Sequence, residues 1–150
     1  MIIIDTNILS TFSKIERLNL LIILSPWIPV AVLNEINTAA KFGYKHASAL
    51  LQLVGEKKIQ VASAKIVMEL PASFGRGEKE CIYLAKQENG TIITNEKKVL
   101  NYCKKENISA VSLNSLLRFL WESNTQTREQ VRQIITEIES KDKLIISSKE

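Results

Sequence analysis

Short apolar runs alternate along the chain with longer segments in which apolar residues recur at helical spacing. The runs at residues 2–4, 59–61, 91–94 and 108–113 are rich in β-branched residues and predict buried strands, and residues 28–30 predict another short strand. Helices are predicted at residues 8–12, 15–24, 32–40, 44–54, 78–89, 97–106, 113–121 and 127–140. Residues 64–70 show no clear pattern.

This alternation of buried strands and helices predicts an α/β fold, a sandwich of helices around a mostly parallel sheet. The length of 150 residues suits one domain. We assign that domain to residues 1–140 and interpret residues 141–150 as a C-terminal tail, polar apart from Leu144, Ile145 and Ile146. In folds of this kind, functional sites lie at the carboxyl ends of the strands.

Polar side chains at strand ends and helix starts form the candidate site. Asp5 follows the first strand, and Asn95 and Glu96 follow the strand at residues 91–94. Glu78 opens a helix after a glycine-containing loop, and Glu35 is expected near the start of another helix. Taken singly, each residue has an ordinary alternative role, as a helix cap, an acid favoured by a helix dipole, a turn or a solvated residue. Their expected convergence on one edge of the sheet indicates a site.

A cluster of carboxylates supports metal-ion hydrolysis of phosphodiester bonds. Mg²⁺ and Mn²⁺ prefer hard oxygen ligands, and a divalent ion relieves the repulsion between neighbouring carboxylates. The ion also lowers the pKa of a bound water and orients it for attack on a phosphate. The sequence therefore points to Mg²⁺ or Mn²⁺ as the cofactor.

Composition narrows the classes of protein. Only Asp5 and Asp142 among the 16 acidic residues are aspartates, and His46 is the one histidine. These counts argue against a histidine-rich zinc site, a histidine–aspartate hydrolase triad and an aspartate-rich receiver domain. The net charge of +4 permits a polyanionic partner such as RNA without requiring one. Cys81 and Cys103 lack metal-ligand spacing and are expected to be reduced core residues.

The chain shows no pattern of an export signal or a membrane span. Its longest apolar region, residues 18–33, is interrupted by Ser25, Pro26 and Pro29 and is too short to cross a bilayer as a helix. We therefore expect a cytoplasmic protein without a membrane partner.

Four stretches, in this order, resemble the PIN-domain family, which includes the VapC-like toxins. They are MIIIDTNIL at residues 1–9, VLNEI at 32–36, GRGEKECIYLA at 75–85 and TIITNEKKV at 91–99. The resemblance implies a three-layer α/β sandwich with a central, mostly parallel sheet flanked by helices. It implies a metal-dependent endoribonuclease, the toxin of a toxin–antitoxin pair, with RNA as substrate, a small antitoxin protein as partner and a homodimeric state.

The resemblance also assigns roles to residues. The implied catalytic positions are Asp5, Glu35, Glu78 and Asn95, and the implied metal ligands are Asp5, Glu78 and Glu96. Asp5 is the central ligand, and Glu35 completes the site or orients the attacking water. Asn7 and Thr94 are expected to hydrogen-bond the ligands from behind.

One position departs from the family pattern. Aspartate is usual in the family where this chain has Asn95, and frequent where it has Glu96. Asn95 offers only a neutral amide oxygen, so a weaker metal affinity is expected. The alternative function is therefore a catalytically weakened PIN-like module that binds RNA or a protein.

Basic residues flank the acidic positions. The candidates for holding RNA phosphates are Arg76, Lys79, Lys97 and Lys98, with Lys41 and Lys45 further away in the sequence. The alternative for each of them is a solvated surface residue. Glu80, two residues after Glu78 on the same helix, is expected to face solvent on another side.

Overall fold

The computed structural model describes residues 1–142, which form alternating strands and helices. In chain order the elements are β1 (Ile2–Ile4), α1 (Thr6–Lys14), α2 (Asn19–Ile22), β2 (Pro26–Pro29), α3 (Val30–Lys41), α4 (Lys45–Gly55), β3 (Gln60–Ala62), α5 (Arg76–Glu88), β4 (Thr91–Ile93), α6 (Lys97–Lys105), β5 (Ser109–Val111), α7 (Leu113–Glu122) and α8 (Arg128–Lys141).

The five strands form one parallel sheet in the order β3-β2-β1-β4-β5. From β1 the chain builds outward to β3 on one side and then returns to β4 on the other side. The order therefore reverses between β1 and β4, the place where open parallel sheets form binding crevices. The predicted α/β fold around a parallel sheet is confirmed.

The central strand β1 is buried, as its three consecutive isoleucines predict. Ile3 and Ile4 are fully buried, which is typical of a strand covered by helices on both faces. Gly90 lets β4 begin close beside β1, because a Cβ at this position would come within 2.8 Å of the Met1 carbonyl oxygen. The Thr91 amide then donates to that oxygen at 2.9 Å, and the register places Ile4 beside Ile93.

Most of these helices begin or end within two residues of their predicted bounds, and two differences change the picture. The helix predicted at residues 15–24 is reduced to α2, since Glu16 has a φ of 58° that ends the preceding helix. Helix α3 begins at Val30, earlier than predicted, because Pro29 in extended conformation leads directly into it. Glu35 therefore lies in the middle of α3 and not near its start, which corrects the prediction.

The C-terminal helix α8 matches its prediction closely. Thr127 and Gln130 cap its first turn reciprocally, with side chain to backbone distances of 2.8 and 3.1 Å. After this helix, Asp142 accepts hydrogen bonds from Thr11 at 2.5 Å and from Lys14 at 2.9 Å, both on α1. The end of α8 is thus fastened to the helix that follows β1.

Other predictions concern the core and the chain ends. Cys81 and Cys103 are buried and free, as predicted for core residues. Residues 64–70, which showed no pattern, form neither helix nor strand. The apolar residues 144–146 lie outside the described residues, so the division between domain and tail stays a prediction. No helix within residues 1–142 combines the length and apolar character that a bilayer crossing requires.

Candidate functional site

Asp5 lies where the sheet order reverses, directly after β1 and beside the end of β4. Asp5 is only 6% exposed, and each oxygen of its carboxylate accepts a hydrogen bond. Oδ1 accepts from the Thr6 amide at 2.8 Å, and Oδ2 accepts from the Thr94 hydroxyl at 3.0 Å. Asp5 therefore caps α1 and also lies in the predicted site, so its two expected roles coexist.

The environment of Asp5 disfavours its ionised form. Burial is the main cause that raises its pKa from 3.8 to about 6, and the nearby charges of Glu35 and Glu78 raise it further. The hydrogen bonds from Thr94 and Thr6 act in the opposite direction but are too weak to cancel the burial. A carboxylate in this condition gains stability from any cation that comes to it.

Glu35 reaches the same place from α3. Its Oε2 accepts from the Thr6 hydroxyl at 2.8 Å, which joins α3 to the first turn of α1. Its other oxygen lies against Gly77 of α5, where a Cβ would overlap it. The absence of a side chain at Gly77 therefore makes the room that the Glu35 carboxylate occupies.

Glu78 lies in the first turn of α5. Its Oε1 accepts from the Gly75 amide at 2.7 Å, which caps the helix, and Lys98 Nζ lies 3.4 Å from the same oxygen. As with Asp5, the structural role expected for a helix-start acid is present. The position at the cleft is present as well, since Glu78 lines it.

Glu96 comes from the turn after β4, and Asn95 does not share its position. Glu96 Oε1 accepts from Asn7 Nδ2 at 2.8 Å, and the Glu96 amide donates to the Thr94 hydroxyl at 3.2 Å. Asn95 is exposed and is absent from the residues that line the cleft. The structure thus brings together four of the five predicted acidic-site positions and leaves Asn95 outside.

These side chains surround one cleft with a volume of about 320 Å³. Its lining residues are Asp5, Thr6, Asn7, Glu35, Gly75, Gly77, Glu78, Glu96 and Lys98. A larger cavity of about 550 Å³ lies at the other end of α1, between Lys14, His46 and Lys141, and contains none of the predicted catalytic or metal-binding residues. Of the basic candidates, Lys45 lines it. We therefore place the candidate site at the smaller, acidic cleft.

A family model described as DUF3368, a PIN domain, matches residues 1–150. The chain belongs to the PIN domain family. PIN domains are generally nucleases and generally use divalent metals.

Solved structures support the fold of this PIN domain. A PilT N-terminus domain protein from Sulfolobus solfataricus P2 matches with a TM-score of 0.55 and 22% identity, over 81% of this chain and 93% of that one. A domain of a functionally unknown protein from Methanocaldococcus jannaschii matches with a TM-score of 0.50 and 22% identity, over 75% of this chain and 89% of that one. Among curated proteins, none is significantly similar in sequence.

The donor set of the PIN domain cleft fits a divalent ion in its chemistry. Carboxylate oxygens are the hard ligands that Mg²⁺ and Mn²⁺ prefer, and Asp5 is buried in a way that a cation would relieve. Each carboxylate is, however, turned onto a donor of the protein itself. Within residues 1–142, no three side chains of the ligand-forming types converge tightly enough to hold an ion. Binding therefore requires the carboxylates to move closer together.

The four predicted RNA-binding cations occupy different settings in the PIN domain. Lys98 lines the cleft and contacts Glu78, while Arg76, Lys79 and Lys97 are not among the lining residues. The Arg76 side chain is 87% exposed and lies 3.5 Å from Glu80. Lys97 is exposed at the start of α6. Their contact with RNA stays a prediction.

Three residues of the site region were missed or misread from the sequence. Thr6 and Gly77 position Glu35, and neither was singled out. Glu80 was expected to face solvent, and this is wrong, because its Oε1 accepts from the Ala31 amide at 2.9 Å. Pro29 provides no side-chain cap for α3, so Glu80 of α5 caps that helix from outside. The sequence offered one indication of this role: Glu78 and Glu80 are two residues apart on one helix, so they point to different sides and can meet different partners.

Proposed function

We propose that this PIN domain is a metal-dependent endoribonuclease that hydrolyses RNA phosphodiester bonds with Mg²⁺ or Mn²⁺. The observation that carries the proposal is the meeting of Asp5, Glu35, Glu78 and Glu96 around one cleft from four separate elements. Membership of a family whose members are generally nucleases supports it. A cytoplasmic location belongs to the same proposal.

The positions of the residues in the cleft suit them to different roles. Asp5, Glu78 and Glu96 would hold the ion, which when bound supplies an activated water and neutralises charge on the phosphate. Thr94 and the Thr6 amide fix the two Asp5 oxygens, so this ligand is oriented in advance. Glu35 would orient the attacking water and accept its proton, with its carboxylate held in place by the Thr6 hydroxyl.

The test is cleavage of single-stranded RNA by purified protein with Mn²⁺. Asp5→Asn removes the central carboxylate, and we expect activity to fall at least about a hundredfold, the range typical for loss of a positioned catalytic group. Glu129→Gln makes an acid-to-amide change at an exposed position of α8 and should cleave like the parent. Equal rates for Asp5→Asn and the parent would rule out this site.

The alternative is a PIN-like module that binds RNA or a protein without cleavage. The observation that favours it is the engagement of every cleft carboxylate by a protein donor. Calorimetry with Mn²⁺ separates the two functions, because RNA binding without metal binding would support the module. Asn95→Asp adds a second test: Asn95 is exposed outside the cleft, so we expect little gain in cleavage, and a large gain would mean that the natural site is weakened at this position.

We also propose that the chain is the toxin of a toxin–antitoxin pair, with a small antitoxin protein as partner and a homodimer as the active form. RNA cleavage is the support for the toxin role, since uncontrolled cleavage stops growth. Expression of the parent should arrest growth, and Asp5→Asn should not. Rescue by a small open reading frame immediately upstream would identify the antitoxin, and sedimentation would establish the oligomeric state.

A further inference from the structure

Lys98 is a cation inside an acidic cleft. Its ammonium lies 3.4 Å from Glu78 Oε1 and donates to the Ser73 carbonyl oxygen at 2.9 Å. It also lies 5.8 Å from the centre of the Phe74 ring, a distance that allows a cation–π contact. Three neighbours from the segment before α5 and its first turn therefore hold this one group.

These contacts differ from what is expected of a lysine that holds an RNA phosphate, which is the role that the sequence predicts for Lys98. A lysine that binds an RNA backbone usually presents its ammonium to solvent, where a phosphate can reach it. The Lys98 side chain is 45% exposed, but its ammonium is directed onto a carboxylate that is 15% exposed. The positive charge of Lys98 is therefore paired with the Glu78 carboxylate within the protein.

The contact between Lys98 and Glu78 affects the net charge that a metal ion meets in the cleft. Four carboxylates line the cleft, and among the described lining residues Lys98 alone is positively charged. A positive charge at Glu78 Oε1 repels a second divalent ion and competes with it for that oxygen. The Lys98 side chain is 45% exposed, so water reduces this repulsion, and its effect is largest on an ion that approaches Glu78 closely.

We propose that Lys98 is a resident cation of the cleft that occupies Glu78 Oε1 and limits the site to one divalent ion, for which Asp5, Glu96 and the other oxygen of Glu78 remain as ligands. This inference rests on the proposed metal-dependent function and adds the number of ions and the residue that sets it. Lys98 is thus a positioning residue for Glu78, and the cleft needs no second ion to neutralise that carboxylate.

The experiment is titration calorimetry with Mn²⁺ alone, on the parent and three variants. Lys98→Gln removes the charge, and we expect the number of bound ions to rise from one to two. A single ion bound more tightly would overturn the limit on their number. Lys98→Arg keeps the charge and should bind one ion with parental affinity. Lys97→Gln removes a neighbouring charge of the same helix that does not line the cleft, and it should also behave like the parent. Thermal melts confirm that each variant is folded.

The opposing results are distinct. An unchanged Mn²⁺ isotherm for Lys98→Gln overturns the inference, whether the variant loses affinity for RNA in EDTA, as a phosphate contact would, or only melts lower, as a loop anchor would. If neither the parent nor Lys98→Gln binds Mn²⁺, the metal-dependent function fails and the inference fails with it. If only Lys98→Gln binds Mn²⁺, then Lys98 excludes every ion, and the inference of one bound ion fails together with the proposed function. Parental binding of one ion without RNA cleavage also removes the proposed function and leaves the inference intact.

Discussion

The Glu35 carboxylate lies so close to Gly77 that a single added carbon would overlap its Oε1 atom. The contact joins α3 to the first turn of α5, and the other oxygen of Glu35 is bonded to Thr6 on α1. The carboxylate of this α3 residue therefore contacts two other helices, α1 and α5. The glycine at residue 77 is a requirement of this packing and not of backbone conformation, because its φ is not in the left-handed region.

Gly77→Ala should damage the cleft with little effect on the fold. The overlapping atom is the end of a flexible side chain, so Glu35 can turn away and leave Thr6. The free energy of unfolding should change by less than about 1 kcal/mol, since alanine favours the helix by a similar amount. Mn²⁺ affinity should fall about tenfold, because Glu35 turns away and its negative charge no longer attracts the ion from beside the ligands.

Gly55→Ala is the matched control for this prediction. It also adds one carbon to a helix, and nothing lies within 4 Å of the added atom. Mn²⁺ affinity should equal that of the parent. A Gly77→Ala variant with parental affinity would show that Glu35 takes no part in metal binding.

The raised pKa of Asp5 predicts a pH-dependent cost in stability. The folded-state pKa is about 6 against 3.8, so folding favours the protonated form. The stabilising contribution of this proton is complete below about pH 4 and is lost as the pH rises through 6. In EDTA, Asp5→Asn should therefore be more stable than the parent at pH 8, by at most about 3 kcal/mol, and the two should converge at pH 4.

Urea unfolding at pH 4, 6 and 8 measures this difference. Mn²⁺ should recover stability in the parent at pH 8 and should have no effect on Asp5→Asn, because the amide offers the ion no charge. Glu129→Gln, at an exposed position, should follow the parent at every pH. A parent that is as stable as Asp5→Asn at pH 8 without metal would contradict the raised pKa.

Glu80 predicts a contrast between two substitutions. Glu80→Ala leaves the Ala31 amide without its acceptor at the start of α3 and should lower the free energy of unfolding by about 1–2 kcal/mol. Glu80→Gln keeps an oxygen acceptor and should retain most of that stability. Glu88→Ala, at an exposed position of the same helix, should be nearly neutral. Equal losses for Glu80→Ala and Glu80→Gln would show that charge, and not the cap, is what stabilises α3.

The order of elements and much of the candidate site could be predicted from the sequence, because both follow from local patterns. Strand-end and helix-start positions placed Asp5, Glu78 and Glu96 at the cleft. Asn95 was placed there as well, although only one of two neighbouring residues in an extended segment faces a given side. The Thr94 hydroxyl accepts from the Glu96 amide and so fixes which of the two lines the cleft.

Contacts between distant segments could not be read from those patterns. Thr6 and Glu35 are 29 residues apart, and Ala31 and Glu80 are 49 apart. Periodicity describes which face of a helix is apolar, but it does not describe which polar atom on that helix meets another one. The same limit applied to Lys98, whose charge was visible in the sequence while its partner Glu78 was not.

The contact between Thr11 and Asp142, 131 residues apart in the sequence, predicts that the end of α8 stabilises α1, the helix that begins beside the site. Asp142 accepts from Thr11 and Lys14, and the Thr11 hydroxyl is buried at 4% exposure. Asp142→Ala would leave that hydroxyl without an acceptor and should lower the free energy of unfolding by about 1–3 kcal/mol. Asp142→Asn keeps an acceptor for Thr11 and should lose less, and Lys141→Ala should be close to neutral. Urea unfolding separates these cases, and a neutral Asp142→Ala would mean that its contacts with Thr11 and Lys14 do not stabilise α1.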